Sequence, residues 1–131
     1  MKTSERENYI KYRLGKATET LDDAALLIDN QKWNSAINRL YYAAYYAISA
    51  LLTRDELNTK THNGVKTQFF LNYVKTGIFS LEMGKLYADL FDWRQKGDYS
   101  DFFDFTAADV IPQFEPTKSL IDAIIWELDG K

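Results

Sequence analysis

The sequence predicts an all-α protein: an up-and-down antiparallel four-helix bundle with an additional short or kinked C-terminal helical segment. Apolar residues recur every three or four positions along most of the chain, which is the periodicity of amphipathic helices. Only two prolines interrupt this pattern, and both fall late, at Pro112 and Pro116. With 131 residues, 46% of them hydrophobic, residues 1–131 are expected to form one domain with its own core.

The first two helices are expected to form a hairpin. Ser4 and Glu7 have the spacing of a capping box, and the apolar periodicity then continues for roughly 25 residues. A short break at 30–32 precedes a second helix from about Trp33 to Leu52. Because so short a connection turns the chain back on itself, the two helices should pack antiparallel.

Two further helices are predicted in the middle of the chain. Thr61 is expected to cap the third helix, which Gly77 ends. Ser80 is expected to cap the fourth, with Gly97 just past its end. The acidic and aromatic stretch 98–105 then reads as a loop. The positions expected to face inward are Val65, Phe69 and Tyr73 in the third helix and Leu86, Leu90 and Trp93 in the fourth.

The last helical region is expected to start at Thr106, because Asp109 stands three residues later. Pro112 and Pro116 predict that it is kinked or broken early. Beyond them, an apolar stripe at helical spacing continues to the end of the region. Its members are Leu120, Ile121, Ile124, Ile125 and Leu128.

The second helix carries an unusual concentration of tyrosine. Between Asn38 and Leu52 it holds four tyrosines and one arginine among small and aliphatic residues. A buried arginine is costly unless its donors are satisfied, so Arg39 is expected either at an edge or beside a partner. Helical spacing gives two neighbouring polar faces. They are Arg39, Tyr42 and Tyr46 on one, and Asn38, Tyr41 and Tyr45 on the other.

Several classes of function are disfavoured by residues that the sequence lacks. Without cysteine there is no thiol nucleophile or thiolate metal site, and a single histidine, His62, cannot supply the Glu-x-x-His pairs of a di-iron bundle. Neither a GxGxxG motif, a Walker lysine motif nor a nucleophile elbow is present. No metal and no cofactor are expected. No signal-peptide core and no apolar run near 18 residues occur, so a cytoplasmic location without membrane binding is expected.

Charge is distributed unevenly around a net value of −3. Residues 1–16 have five Lys or Arg against two Glu, and residues 54–81 have four against two acidic residues. Residues 82–131 have five against eleven. The acidic total disfavours non-specific coating of DNA, but it leaves room for a local site for RNA or a nucleotide.

Three patches of polar residues are candidates for a site. The start of the third helix offers backbone N–H groups that suit an anion, and the end of the fourth places cations where the helix dipole favours them. Each patch is also explained by ordinary helix capping or by a solvated helix face. The patches are Asn38 and Arg39 with Tyr42 and Tyr46; Lys60, Thr61 and His62 with Lys66; and residues 94–99, Arg-Gln-Lys-Gly-Asp-Tyr.

The order of four segments resembles the HEPN family (higher eukaryote and prokaryote nucleotide-binding). The segments are Asn-Arg-Leu-Tyr-Tyr-Ala-Ala-Tyr-Tyr-Ala from residue 38, Lys-Thr-His-Asn-Gly-Val from residue 60, Phe-Phe and Tyr-Val-Lys-Thr-Gly within 69–77, and residues 94–99. The chain is most similar to the small stand-alone bacterial and archaeal members. The resemblance covers roughly residues 10–128.

This resemblance implies a helical bundle that usually forms a homodimer. Many members are metal-independent ribonucleases, often toxins of toxin–antitoxin or anti-phage systems, and a frequent partner is a minimal nucleotidyltransferase encoded next door. In active members an arginine near a helix end is followed, four to six residues on, by a histidine. The arginine steadies charge on the phosphate while the histidine moves the proton of the ribose 2′-OH.

The chain departs from that motif at the histidine. Arg94 matches the arginine, but Asp98 and Tyr99 occupy the positions where the histidine is expected. The resemblance therefore implies Arg94, Asp98 and Tyr99 as candidate catalytic residues, and His62 can substitute only if the third helix begins near Arg94. Tyr99 is also a candidate target for nucleotide transfer by the partner. The residues assigned to nucleotide or RNA binding are Arg39, Tyr42, Lys60 and His62.

The alternative interpretation is a non-catalytic, dimerising helical adaptor. In that case Arg39 is a structural arginine, and Arg94 and Asp98 hold the fourth helix to the segment that follows it. Convergence of Arg39, His62, Arg94 and Asp98 in one cleft favours a site, whereas scattered or separately paired residues favour the adaptor.

Overall fold

In a computed structural model, which describes residues 2–99 and 103–130, the protein is a bundle of five α-helices. No strand occurs among those residues, so the predicted all-α class is confirmed. A single π-helical turn, Phe70–Val74, continues directly from the third helix. The helices are α1 (Thr3–Asp29), α2 (Trp33–Arg54), α3 (His62–Phe69), α4 (Leu81–Tyr99) and α5 (Ala107–Leu128).

Helices α1 and α2 form the expected hairpin. Gln31 turns the chain with a backbone φ of 59°, and the N–H of Lys32 reaches the carbonyl of Leu27 at 2.8 Å. At the other end of the hairpin, Nη1 of Arg6 lies 3.0 Å from Oε1 of Glu56, so the start of α1 meets the end of α2.

The expected capping box at the start of α1 is wrong. The helix begins at Thr3, with Lys2 in the capping position and no side-chain cap. Ser4 therefore lies inside the first turn, where its backbone is helical and its hydroxyl cannot take the place of a cap.

Helix α2 is the centre of the bundle and packs against α1, α3, α4 and α5. Its small side chains let the neighbouring helices approach closely, and its larger apolar residues fill the space between them. Five of its alanines are fully buried, as are two leucines and two isoleucines. They are Ala36, Ala43, Ala44, Ala47, Ala50, Leu40, Leu51, Ile37 and Ile48.

The predicted caps of α3 and α4 are confirmed. The Thr61 hydroxyl accepts from the N–H of Gly64 at 2.9 Å, and the Ser80 hydroxyl accepts from the N–H of Met83 at 3.2 Å. Gly77 closes the segment after the π-helical turn with a φ of +84°, a conformation that glycine adopts without strain. The inward face is as expected, since Val65, Phe69, Tyr73, Leu86 and Leu90 are buried and Trp93 packs against the core.

The expected end of α4 is wrong. Gly97 lies inside the helix, which continues to Tyr99, so Asp98 is helical and does not belong to a loop. A Cβ atom at Gly97 would lie 3.1 Å from Cε2 of Phe105, so the missing side chain allows Phe105 to pack against α4. The remainder of the predicted loop includes residues 100–102, which lie outside the described residues.

Helix α5 starts at the predicted capping box and runs without a break. The N–H of Thr106 donates to Oδ2 of Asp109 at 2.9 Å. Both Pro112 and Pro116 lie within the helix, so of the expected kink or early break, the break does not occur. Each proline removes one backbone hydrogen bond, but the buried stripe that includes Leu120 and Ile124 holds the helix against the bundle.

Candidate functional site

Among the described residues, Arg94 is the one cationic side chain that is buried. It projects from α4 towards α2, and 7% of its side chain is exposed. Its guanidinium carbon lies 4.9 Å from the ring centroid of Tyr41 and 5.7 Å from that of Tyr42. Its Nη1 lies 3.9 Å from Oδ2 of Asp98, a loose ion pair, and its buried Nε has no hydrogen-bond acceptor among the described residues. One donor of the guanidinium is therefore unpaired among the described residues, and it is shielded from solvent.

Asp98 is held in place by the second helix. The side-chain amide of Asn38 donates to Oδ2 of Asp98 at 2.9 Å. The amide oxygen of Asn38 in turn accepts from Nε and Nη2 of Arg39, at 2.9 and 2.6 Å. The guanidinium of Arg39 also lies 5.2 Å from the ring centroid of Tyr42. Arg39 is thus a half-buried residue beside a partner, as the sequence led us to expect.

His62 joins the same cluster from the start of α3. Its Nδ1 lies 2.8 Å from the hydroxyl of Tyr41, and that hydroxyl accepts a long hydrogen bond of 3.5 Å from Tyr87. The imidazole ring also lies 4.7 Å from the ring centroid of Tyr45. The Thr61 cap fixes where α3 begins and therefore where His62 sits.

Burial and the nearby cation set the protonation states of this cluster. Burial lowers the pKa of His62 below its ordinary value, and the positive charge of Arg94 lowers it further. Burial raises the pKa of Tyr41 to about 12, although the Tyr87 hydrogen bond and Arg94 act in the opposite direction. At neutral pH the imidazole is therefore uncharged and the Tyr41 hydroxyl keeps its proton.

Four of the predicted site residues form one continuous row of contacts. The row runs from His62 through Tyr41 to Arg94, and from Arg94 through Asp98 and Asn38 to Arg39. Beside it lies an open depression of about 610 Å³. Its lining includes Asn34, Ser35, Asn38, Arg39 and Asp98. We refer to the row and its depression as the arginine cluster.

Other predicted residues lie at or beyond the edge of the arginine cluster. Tyr42 belongs to it through both arginines. Lys60 is exposed, and none of the contacts described joins it to the cluster. Nζ of Lys66 lies 4.2 Å from the ring centroid of Phe91, so this lysine packs on α4. The side chain of Tyr99 lies outside the described residues.

Sequence reasoning missed Tyr87 and the bridging position of Tyr41. Tyr87 lies in α4 next to Leu86, where the spacing indicates an ordinary core position, and no local signal marks its hydroxyl. Tyr41 shares a face with Asn38 and Tyr45, and this spacing was the available hint that its hydroxyl has a polar partner.

Neither a metal centre nor a membrane span is found in the described part of the chain. No group of three or more His, Asp or Glu side chains there converges as metal ligands would. Within residues 2–99 and 103–130, no helix is both long and apolar enough to cross a membrane.

The fold and the arginine cluster together define the class: a helical bundle whose polar site is built around a buried arginine. The model of the HEPN domain matches residues 10–125, and the chain belongs to the HEPN family. A UPF0332 protein of Thermotoga maritima is 40% identical over 121 residues, which cover 92% of each chain.

Two relatives from Methanocaldococcus jannaschii carry names that refer to toxins. The one named "Putative toxin MJ0142" is 31% identical over 84 residues, 64% of this chain and 57% of the relative. The one named "Putative toxin MJ0605" is 30% identical over 113 residues, 86% of this chain and 75% of the relative. This chain is thus similar to two archaeal proteins that are named "putative toxin".

Proposed function

We propose that this HEPN protein is the toxin of a toxin–antitoxin or defence pair and that it binds and cleaves RNA at the arginine cluster without a metal ion. The observation that carries the proposal is the buried guanidinium of Arg94, whose Nε has no acceptor among the described residues, in contact with the tyrosine that holds His62. The names of two relatives support the toxin assignment.

Arg94 is assigned to the phosphate. A phosphodiester oxygen is an acceptor of the right charge for the guanidinium, which binds phosphate as a fork with two parallel hydrogen bonds. Because only 7% of the Arg94 side chain is exposed, this binding requires neighbouring side chains to move aside. Negative charge builds up on the phosphoryl oxygens in the transition state, so the interaction strengthens as the reaction proceeds. Arg39, which lines the depression, and Tyr42, whose ring it contacts, are assigned to binding the neighbouring part of the RNA.

His62 is assigned the proton transfer that the motif histidine performs in other members. We assign the proton of the neutral imidazole to Nδ1, which donates it to the Tyr41 hydroxyl, so that Nε2 is unprotonated. The lowered pKa keeps the ring uncharged at neutral pH. Nε2 removes the 2′-OH proton, the 2′-oxygen attacks phosphorus, and the bond to the 5′-oxygen breaks. The 5′-oxygen leaves and takes up a proton from water, and the other product ends in a 2′,3′-cyclic phosphate. Asp98, held by Asn38, is the second candidate proton acceptor.

The proposal includes a homodimer and a minimal nucleotidyltransferase partner, both of which the family resemblance implies. Tyr99 follows Asp98 directly at the end of α4 and is the residue we assign as the target of nucleotide transfer. Because Tyr99 is the next residue after Asp98 in the sequence, we expect a nucleotide added to it to interfere with RNA binding at the arginine cluster.

The first experiment is cleavage of mixed cellular RNA by the purified protein with and without EDTA. We expect EDTA-resistant cleavage that falls by about 10²–10³-fold in Arg94→Ala. We expect a loss of about 10²–10⁴-fold in His62→Gln. Lys118→Ala, on the exposed face of α5, is the control, because it removes a positive charge that lies outside the arginine cluster. Because Arg94 is buried, thermal unfolding of each variant is measured alongside.

Cleavage that His62→Gln and Arg94→Ala leave unchanged would contradict the proposal, as would the absence of any RNA binding. Those results would favour the alternative, a non-catalytic helical adaptor, for which the structure offers one supporting observation. Arg94 and Asp98 also tie α4 to α2 through Tyr41 and Asn38. A purely structural cluster predicts that Arg94→Ala lowers the melting temperature or disrupts the dimer with no RNA phenotype.

A further inference from the structure

A second depression, of about 300 Å³, is lined in part by Tyr45, whose ring lies 4.7 Å from that of His62. It is formed by the start of α1, the second half of α2 and the segment 55–61. We refer to it as the α1 pocket. The lining residues that bear on its chemistry are Arg6, Tyr9, Arg13, Tyr45, Glu56 and Thr59.

The α1 pocket lies where the two basic segments of the chain meet. Residues 1–16 carry a net positive charge in a protein that is acidic overall, and they supply Arg6 and Arg13 to the pocket. The segment 54–81 contributes one charged side chain to the lining, that of Glu56, so two cations face one carboxylate. This charge distribution favours an anionic occupant.

Arg13 is held rigidly by aromatic rings. Its guanidinium carbon lies 4.9 Å from the ring centroid of Tyr9 and 5.4 Å from that of Tyr46. Both Nε and Nη2 donate to the Tyr9 hydroxyl, the former at 2.7 Å. Among the described residues no carboxylate forms an ion pair with Arg13, so its charge is held in a fixed position without an acidic partner.

Arg6 has an acidic partner that is easily replaced. Glu56 bonds to Arg6 at 3.0 Å, but 72% of the Glu56 side chain is exposed. The backbone of Glu56 is left-handed, with a φ of 57°, which is unfavourable for a residue with a side chain. A carboxylate held this loosely can give way to a phosphate, which offers more acceptor oxygens and more charge.

We infer that the α1 pocket binds a nucleotide unit, with the phosphate on Arg6 and Arg13 and the base against the aromatic wall that contains Tyr45. The volume of the α1 pocket lies at the lower end of the range of roughly 300–1,000 Å³ that ligand pockets span. A pocket of this size suits a single mononucleotide. The assignment does not depend on any activity at Arg94. However, Tyr45 lies 4.7 Å from the His62 ring, so an occupant would contact the wall that the pocket shares with the arginine cluster.

The test is calorimetric titration of the full chain with AMP, adenosine and inorganic phosphate. We expect AMP to bind at one site and more tightly than either of its parts. We expect Arg13→Gln to weaken AMP binding at least tenfold, and Arg6→Gln, which leaves the stacked arginine in place, to weaken it measurably. Lys11→Gln is the matched control, because it removes one exposed positive charge from the same helix and should leave binding unchanged.

Three results would overturn the inference: no AMP binding, equal binding by wild type and Arg13→Gln, or a loss in Lys11→Gln as large as that in Arg13→Gln. AMP binding that fell in Arg94→Ala but not in Arg13→Gln would assign the ligand to the arginine cluster instead. A phosphorylated nucleotide unit could be a free mononucleotide or the 5′ end of an RNA. Competition against AMP by a tetraribonucleotide with and without a 5′-phosphate distinguishes the two. If only the oligonucleotide with a 5′-phosphate displaces AMP, the natural ligand is the 5′ end of an RNA. If neither oligonucleotide displaces AMP, the ligand is a free nucleotide. Both results support the inference.

Discussion

Tyr41 touches Arg94 with its ring and His62 with its hydroxyl. The guanidinium carbon of Arg94 lies 4.9 Å from the ring centroid, and Nδ1 of His62 lies 2.8 Å from the hydroxyl oxygen. One fully buried side chain of α2 thus connects the cation of α4 to the imidazole of α3. The positions of the two functional groups relative to each other depend on this residue.

Removing the Tyr41 hydroxyl should destabilise the protein without changing its core volume. In Tyr41→Phe the imidazole of His62 and the hydroxyl of Tyr87 each lose a hydrogen-bond partner, and we expect the free energy of unfolding to fall by about 1–2 kcal/mol. Urea denaturation measures it. Tyr45→Phe is the control, because its ring packs in the same aromatic group, and a loss of equal size there would argue against a specific role for the Tyr41 hydrogen bonds.

The pKa of His62 should lie below 6.5 and should respond to Arg94. Burial and the charge of Arg94 both lower it, so Arg94→Gln should raise the pKa, while Arg39→Gln should have less effect. Since His62 is the chain's sole histidine, its ring protons in NMR spectra give the titration directly. A pKa that stays the same in Arg94→Gln would refute the electrostatic coupling.

The same shift fixes how His62 contributes to stability as pH changes. Its pKa in the folded state is below that of an unfolded chain, so protonation favours unfolding. The stabilising contribution is complete above about pH 6.5 and declines as the pH falls below it. His62→Gln should therefore flatten the dependence of the melting temperature on pH in this range.

Asp55 should contribute stability that is lost in acid. Burial raises its pKa, but hydrogen bonds from Arg54 and Tyr73 outweigh that effect, and the net shift is below the ordinary value of 3.8. The contribution is therefore present above about pH 4 and is lost as the pH falls through the lowered pKa. Between pH 5 and pH 2.5, the melting temperature of Asp55→Asn should therefore fall less than that of wild type. Asp122→Asn, which breaks an exposed pair with Lys118 at 2.9 Å, is the control.

Two glycines should respond in opposite ways to the same substitution. A Cβ atom at Gly64 would overlap Oγ1 of Thr59 and crowd Oγ1 of Thr61, so Gly64→Ala should destabilise the start of α3 by about 1–3 kcal/mol. Gly15 has open space around it in the middle of α1, so Gly15→Ala should stabilise the protein by about 0.5–1 kcal/mol. Thermal unfolding compares the two, and stabilisation by Gly64→Ala would show that Thr59 moves aside readily.

The sequence predicted best those features of the fold that are formed by residues close to each other in the chain. Thr61, Ser80 and the Thr106–Asp109 pair cap helices through bonds that span three residues, so their spacing is visible in the chain itself. Gly97 and the two prolines misled the prediction because contacts from distant residues decide their outcome. Phe105 fills the space beside Gly97, and burial along α5 keeps Pro112 and Pro116 within one helix.

The candidate site was only partly predictable for the same reason. Arg94, Asp98, Arg39 and His62 were identified from the resemblance and from their residue types. Nothing local to residues 60–64 indicates that α3 begins beside Tyr41, because that position follows from how α3 packs on α2. The role assigned to Tyr99 remains a prediction.

The order in which the chain leaves the ribosome has a consequence for when the arginine cluster can exist. Helices α1 and α2 form a local hairpin and carry Asn38, Arg39 and Tyr41, whereas Arg94 arrives with α4 more than fifty residues after Tyr41. Domains generally fold from the N-terminus during synthesis. A nascent or truncated chain that ends before α4 therefore contains Arg39 and Tyr41 but not Arg94, and synthesis itself delays the assembly of the site until most of the protein has been made.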